Sequence, residues 1–112
     1  MQTVVHLVSG DEEEREVALN IAQNLVDDES GDIDTVAVVA QSEGIEPVTI
    51  DGVGSDHVQS LINEGVSFRA CSNTLDLMDL AESDLIEGVE TVPEGAVELT
   101  RLQNEGYAYL RP

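Results

Sequence analysis

The sequence predicts an α/β fold, a three-layer α/β/α domain built on a mainly parallel five-stranded sheet. Strand-length apolar runs alternate along the chain with segments whose apolar residues recur at helical spacing. That alternation implies right-handed βαβ crossovers and helices on both faces of the sheet. The run TVAVVA at 35–40 is nearly continuous in apolar residues, as a strand covered on both faces requires. At 112 residues the chain makes one domain, 1–112. A chain of that length buries roughly two-thirds of its unfolded surface in a single core.

Each element has its own signal. Residues 3–8 are β-branched and apolar around His6 and form a buried first strand. Ser9 and Glu12 stand at capping-box spacing before a helix in which Val17, Ala18, Ile21, Ala22, Leu25 and Val26 repeat at helical period. Glu12, Glu13 and Glu14 then make a solvated first turn that complements the helix dipole. A polar turn, 27–34, leads into the central strand at 35–40. After a loop through Gly44 and Pro47, a second helix runs from Ser55 with Val58, Leu61 and Ile62 inward, and Gly65 stops it in the left-handed conformation. The third strand, 66–70, ends at Cys71. Residues 74–81 form a short helix with Leu75, Met78 and Leu80, and a weak strand follows at 89–92. Pro93 opens the last helix, which carries Ala96, Val97, Leu99 and Leu102 to about Asn104. Gly106 caps it, and the terminal strand 107–110 places Tyr107 and Tyr109 on one face. There is no repeat, linker or low-complexity segment.

Charge narrows the partners. The chain has 24 Asp and Glu against four Arg and no Lys, a formal charge of −20. Such a surface repels nucleic acid and anionic membranes, so direct contact with either is not expected. The acid is spread along the chain and lacks a tail, which resembles proteins of salt-loving archaea; at about 1 M salt the Debye length is about 3 Å and self-repulsion is screened. No apolar run reaches the roughly 20 residues of a membrane span. Met1-Gln2-Thr3 leads into a strand pattern without a basic region, so no signal peptide is expected and the protein is placed in the cytoplasm. A single cysteine agrees with a reducing compartment.

The turn Ser9-Gly10-Asp11-Glu12-Glu13-Glu14 lacks both the dinucleotide fingerprint and the P-loop lysine, so no nucleotide cofactor is expected. His6 and His57 have no neighbour at metal-ligand spacing, so no metal is expected either. They are assigned as a satisfied core histidine and a surface one; a Cys–His pair would need the fold to bring His57 to Cys71. Cys71 is the residue with chemical promise. A strand that ends in cysteine and passes directly into a helix presents the sulfur to free N–H groups and the positive end of the helix dipole, both of which favour thiolate. Arg69, two residues earlier on the strand, points to the same face and is expected beside the sulfur. Ser72 and Asn73 follow Cys71 as the pair that starts the helix. A small buried hydrophobe closing the core is the competing reading of Cys71.

Several blocks together resemble one family. They are Ala18-Leu19-Asn20-Ile21-Ala22-Gln23-Asn24-Leu25, the strand 36–40 with Gly44-Ile45, Ala70-Cys71-Ser72-Asn73-Thr74-Leu75, and Val92-Pro93-Glu94-Gly95-Ala96-Val97-Glu98-Leu99 running into the ending Leu102-Gln103-Asn104-Glu105-Gly106-Tyr107-Ala108-Tyr109-Leu110-Arg111-Pro112. Over nearly its whole length the chain resembles the DsrE/DsrF-like sulfur-relay family. The resemblance implies a small α/β/α domain that assembles as a homotrimer or homohexamer and carries sulfur as a persulfide on the loop cysteine, here Cys71. Donor and acceptor proteins would be its partners, and Ser72 and Asn73 would hydrogen-bond the terminal sulfur. The glycine-rich turn often found after the second strand of the family is Gln41-Ser42-Glu43-Gly44 here, a bulkier and more acidic rim. Two functions therefore stand: a sulfur carrier working through Cys71, and an oligomeric binding or scaffold protein of the same fold in which Cys71 only packs.

Overall fold

The computed structural model describes residues 1–112. Five strands, β1 (Gln2–Leu7), β2 (Thr35–Ala40), β3 (Ser67–Cys71), β4 (Glu90–Val92) and β5 (Tyr107–Leu110), form one sheet in the order β4-β3-β2-β1-β5. Every pairing is parallel. Four helices connect them: α1 (Glu12–Val26), α2 (Ser55–Asn63), α3 (Ser72–Leu77) and α4 (Gly95–Asn104).

Strand order and crossover handedness together decide where the helices lie. The first three crossovers step in one direction across the sheet, from β1 to β2, β3 and β4. Right-handed connections of one direction place their helices on one face. The fourth runs back from β4, past three strands, to β5 on the far side of β1, so α4 crosses the opposite face. The two cores bear this out. Val5, Leu7, Val36, Val38, Phe68 and Ala70 face Ala18, Leu19 and Ala22 of α1, Val58 and Leu61 of α2 and Leu75 of α3. Val4, Ala37 and Val39 face Leu99 and Leu102 of α4, with Tyr107 packed alongside. One layer thus holds three helices and the other holds one.

Several local expectations need correction. The cap of α1 is Asp11, whose carboxylate accepts the Glu14 N–H at 3.0 Å. Ser9 lies two residues too early to cap the helix starting at Glu12, and its hydroxyl instead accepts the Asp11 N–H at 3.0 Å and donates to Glu14. The third helix starts directly at Ser72 and ends at Leu77, not 74–81, because Asp79 takes a left-handed φ of 57° and turns the chain away. Pro93 stands outside α4; Glu94 is its cap, accepting the Ala96 N–H at 3.2 Å. Residues 42–48 form a 3-10 turn, not an open loop, and it contributes Ile45 and Val48 to the larger core.

Candidate functional site

Register alone lines up the carboxyl edge of the sheet. Ala40 pairs with Ala70, so the next residues, Gln41 and Cys71, are lateral neighbours, and Cys71 pairs in turn with Val92 of β4. With period-2 alternation, residues 39 and 41 on one side and 69 and 71 on the other stand on the α4 face. So do Val4 and His6 of β1, and Tyr109, which pairs with Val4. The α4 face therefore carries a row crossing the sheet: Tyr109, His6, Gln41, Cys71, then Glu94 just beyond β4.

Hydrogen bonds join much of that row. The His6 ring lies 2.5 Å from the Tyr109 hydroxyl through Nδ1 and 2.6 Å from Gln41 Oε1 through Nε2. A carboxamide oxygen only accepts, so the proton sits on Nε2 and Nδ1 accepts from the tyrosine. Burial pushes the His6 pKa down; the Gln41 bond opposes this and the charge of Arg111 adds to it, and the net direction is downward. At neutral pH His6 is an uncharged link. At the other end of the row, the Cys71 thiol donates to Glu94 Oε1 at 3.9 Å, and the same oxygen caps α4.

Gly95 is what lets α4 settle on this row. A Cβ there would stand 3.2 Å from Gln41 Cδ and 3.4 Å from both Gln41 Cβ and Cys71 Cβ. The helix start thus lies directly over the cysteine and its neighbour, and Cys71 has 0% exposure.

The expected supporting residues are only partly assembled. Cys71 caps α3 by position, as its place before the helix predicts, but its side chain makes no capping hydrogen bond and turns to Glu94. Arg69 shares the face of Cys71, yet its guanidinium is committed elsewhere, with Nη1 2.5 Å from Glu98 Oε2 and Nε donating to Ser67 at 3.2 Å. Arg69 therefore makes no hydrogen bond to the sulfur, since a buried carboxylate on α4 is a stronger partner for an arginine than a thiol. Glu98, 5% exposed, also binds Arg101. Burial pushes its carboxyl up, but the hydrogen bonds and charges of Arg101 and Arg69 prevail and hold it below the usual range. Ser72 is half-buried and Asn73 exposed in the first turn of α3. His57 meets Gln23 Oε1 at 3.1 Å on the α1–α2 side, so the sheet separates it from Cys71.

Glu94 and Glu98 went unnoticed as site residues in the sequence, and Gln41 was noted only as part of the rim 41–44. Glu94 had a signal, since a carboxylate directly after proline and before an apolar-periodic segment is cap chemistry. Gln41 follows the end of its strand as Cys71 ends its own, which becomes meaningful only when the two strands are known to be neighbours.

Comparison with known proteins agrees with this architecture. A protein of unknown function from Methanobacterium thermoautotrophicum has a solved structure that superposes with a TM-score of 0.90 at 38% identity, covering 99% of this chain and 98% of that one. A conserved protein of unknown function from Bacteroides thetaiotaomicron shares the fold, with a TM-score of 0.72 at 14% identity over 99% of this chain and 94% of its own. No curated protein matches the chain. The DsrE/DsrF-like family model matches residues 4–112, nearly the whole sheet and every helix described above, and the chain belongs to the DsrE/DsrF-like family.

Proposed function

We propose that this protein is a sulfur carrier in which Cys71 accepts sulfane sulfur, holds it as a persulfide and passes it to an acceptor thiol. Its family is associated with sulfur relay. The observation that carries the reading is the position of Cys71 at the carboxyl edge of β3, in a polar row between a carboxamide and a carboxylate. Ligands of open α/β sheets gather at that edge.

The step is an exchange between sulfurs. The Cys71 sulfur, having given up its proton, attacks the outer sulfur of a donor R–S–SH. The new Sγ–S bond forms as the donor S–S bond breaks, and R–S⁻ leaves and takes up a proton. Delivery to an acceptor thiol repeats the exchange. No net oxidation occurs, and thiolate attack requires neither a metal nor a second nucleophile. Glu94, already accepting the S–H, is the nearest recorded acceptor for the departing proton. Because Cys71 is fully buried, with the start of α4 at Gly95 packed against its Cβ, exchange requires a local opening around the cysteine. The same reading assigns donor and acceptor proteins as partners, the cytoplasm as location, and a homotrimer or homohexamer assembled partly through α4 and β5.

The complete burial of Cys71 favours a second reading, an oligomeric binding or scaffold protein in which the cysteine only packs. Intact-mass measurement separates the two. After exposure of the reduced protein to polysulfide or to a cysteine desulfurase with its substrate, the native chain gains about 32 Da, one sulfur atom, and Cys71→Ser gains none. No gain on the native chain, under conditions that load a known carrier, overturns the carrier reading and leaves the scaffold.

A further inference from the structure

A cavity of about 300 Å³ opens between the starts of α1 and α2, on the face of the sheet opposite the Cys71 side chain, and sulfur exchange has no use for it. Leu19 of α1, Pro47 of the 3-10 turn and Val53 form its apolar walls. Gly54, at a left-handed φ of 95°, seats the start of α2 on the first two: its Cβ would stand 3.4 Å from Leu19 Cδ1 and from Pro47 Cβ. Glu12, Glu16 and Asp56 line the same space, and none of these carboxylates is in an ion pair. Glu12 and Glu16 stand at i, i+4 on one face of α1, a spacing at which like charges repel. Arg15, the base between them, turns elsewhere: its Nη1 donates to the carbonyls of Gly10 and Glu43 at 3.2 and 3.5 Å. His57, also on the wall, gives its Nε2–H to Gln23 Oε1 at 3.1 Å, which leaves Nδ1 as an acceptor.

We propose that this cavity is a docking pocket for one lysine or arginine side chain presented by a partner protein. Such a side chain is apolar along its stem and charged at its head, and the lining offers the matching halves, an aliphatic wall beside unpaired carboxylates. Three carboxylates against the single charge of Arg15 leave the lining acidic, so an anionic ligand is repelled. The volume stands at the small end of ligand cavities, which run from about 300 to 1,000 Å³, and suits one long side chain. A free amino acid would bring its own carboxylate to this acidic rim, whereas a residue within a polypeptide brings none. A second copy of the chain has little to offer, since it contains no Lys, Arg69 and Arg101 are paired with Glu98, and Arg15 belongs to the pocket wall, which leaves Arg111 alone. The surrounding acidic surface steers a basic partner toward the pocket.

Backbone amide NMR shifts decide it, followed in the lowest salt at which the native protein is folded by circular dichroism. The probes are N-acetylarginine amide, its uncharged counterpart N-acetylcitrulline amide, and 1,4-diaminobutane as a free cation. N-acetylarginine amide is expected to shift Glu12, Glu16, Gly54, Asp56 and His57 saturably, and the citrulline form to leave them in place. Glu16→Gln, at an exposed position of α1, weakens binding about three- to fivefold, the effect of one accessible charge pair. Val53→Ser, also exposed, weakens it through the stem. Equal shifts from the arginine and citrulline forms, shifts spread over the whole acidic surface without saturation, or an unchanged affinity in Glu16→Gln each overturn the assignment. Tighter binding of 1,4-diaminobutane gives the cavity to a free polyamine and overturns a protein partner. So does movement of the same signals on concentrating the protein alone, if Arg111→Gln abolishes it, because the occupant is then a second copy. The intact-mass result for Cys71 bears on the carrier reading alone and leaves this pocket untouched.

Discussion

At His6, burial and chemistry make a prediction with a definite sign. The unfolded chain takes up this proton near pH 6.5, while the folded protein, with the pKa lowered chiefly by burial, takes it up only at lower pH. The unfolded state therefore binds more protons in between. The contribution is fully present above about pH 6.5 and is lost as pH falls from there toward the folded value. Glu98 acts in a lower window: its folded pKa lies below its ordinary 4.5, so its contribution is present above that value and is lost as pH falls through the folded one. Any other effect of pH acts on native protein and variant alike, so the informative quantity is a difference. The melting temperature of native protein minus that of His6→Gln falls across this range, measured by circular dichroism; a constant difference contradicts the assignment. At this scale Cys71 was legible because its place between strand and helix is local. The partners of Arg69 and Cys71 were not, since Glu98 and Glu94 lie more than twenty residues on, in an element whose side of the sheet depends on strand order.

Elements meet most closely where the 3-10 turn crosses the end of β1. A Cβ on Gly44 would stand 2.0 Å from the Leu7 carbonyl oxygen and 2.6 Å from the Val8 nitrogen, both backbone atoms that have no rotamer to yield. Gly44→Ala is therefore expected to destabilise the fold by about 1–3 kcal/mol, the usual range for overpacking, read as a lower urea midpoint with unchanged slope. An unchanged midpoint would mean the turn moves away freely. The edge strand β5 carries a second prediction. Tyr109 and Leu110 are 38% and 39% exposed, and Val97 on α4 is 64% exposed. If copies of the chain pack through this face, as proposed, Tyr109→Asp lowers the mass seen by light scattering after size exclusion in high salt. A native mass that is already monomeric across micromolar concentrations removes the assembly, and an unchanged oligomer in the variant moves the interface elsewhere. The terminal strand and the caps at Gly65 and Gly106, with φ of 99° and 98°, were legible because apolar runs and left-handed stops are written locally. The boundaries of α3 were not, because Met78 and Leu80 continue an apolar pattern beyond Leu77, across the point where Asp79 turns the backbone.

Across the whole molecule, charge is scarcely compensated. Of the four arginines, Arg69 and Arg101 gather around Glu98, with Arg101 also reaching Glu105, while Arg15 donates to the carbonyls of Gly10 and Glu43. Most of the 24 acids therefore repel one another through solvent. With a Debye length of about 30 Å at 0.01 M and about 3 Å at 1 M, that repulsion spans the domain in dilute buffer and is confined to near neighbours in concentrated salt. The melting temperature is expected to rise steadily from low to molar salt. A flat profile would show that the acidic surface carries no such adaptation.

Alternation of strand and helix, the fully buried central strand and the lone cysteine at a strand end were settled by the sequence itself, because each depends on residues within one or two turns of one another. Tertiary structure alone decided that β5 returns beside β1, which sends α4 across the face opposite the other three helices. That single crossover places Glu94, Gly95 and Glu98 over the sheet, packs Gly95 against Cys71, and pairs Arg69 with Glu98. Return of β5 beside β1 also adds Tyr109 to the row of His6, Gln41 and Cys71, which register between distant segments sets and the spacing of residues along the chain does not.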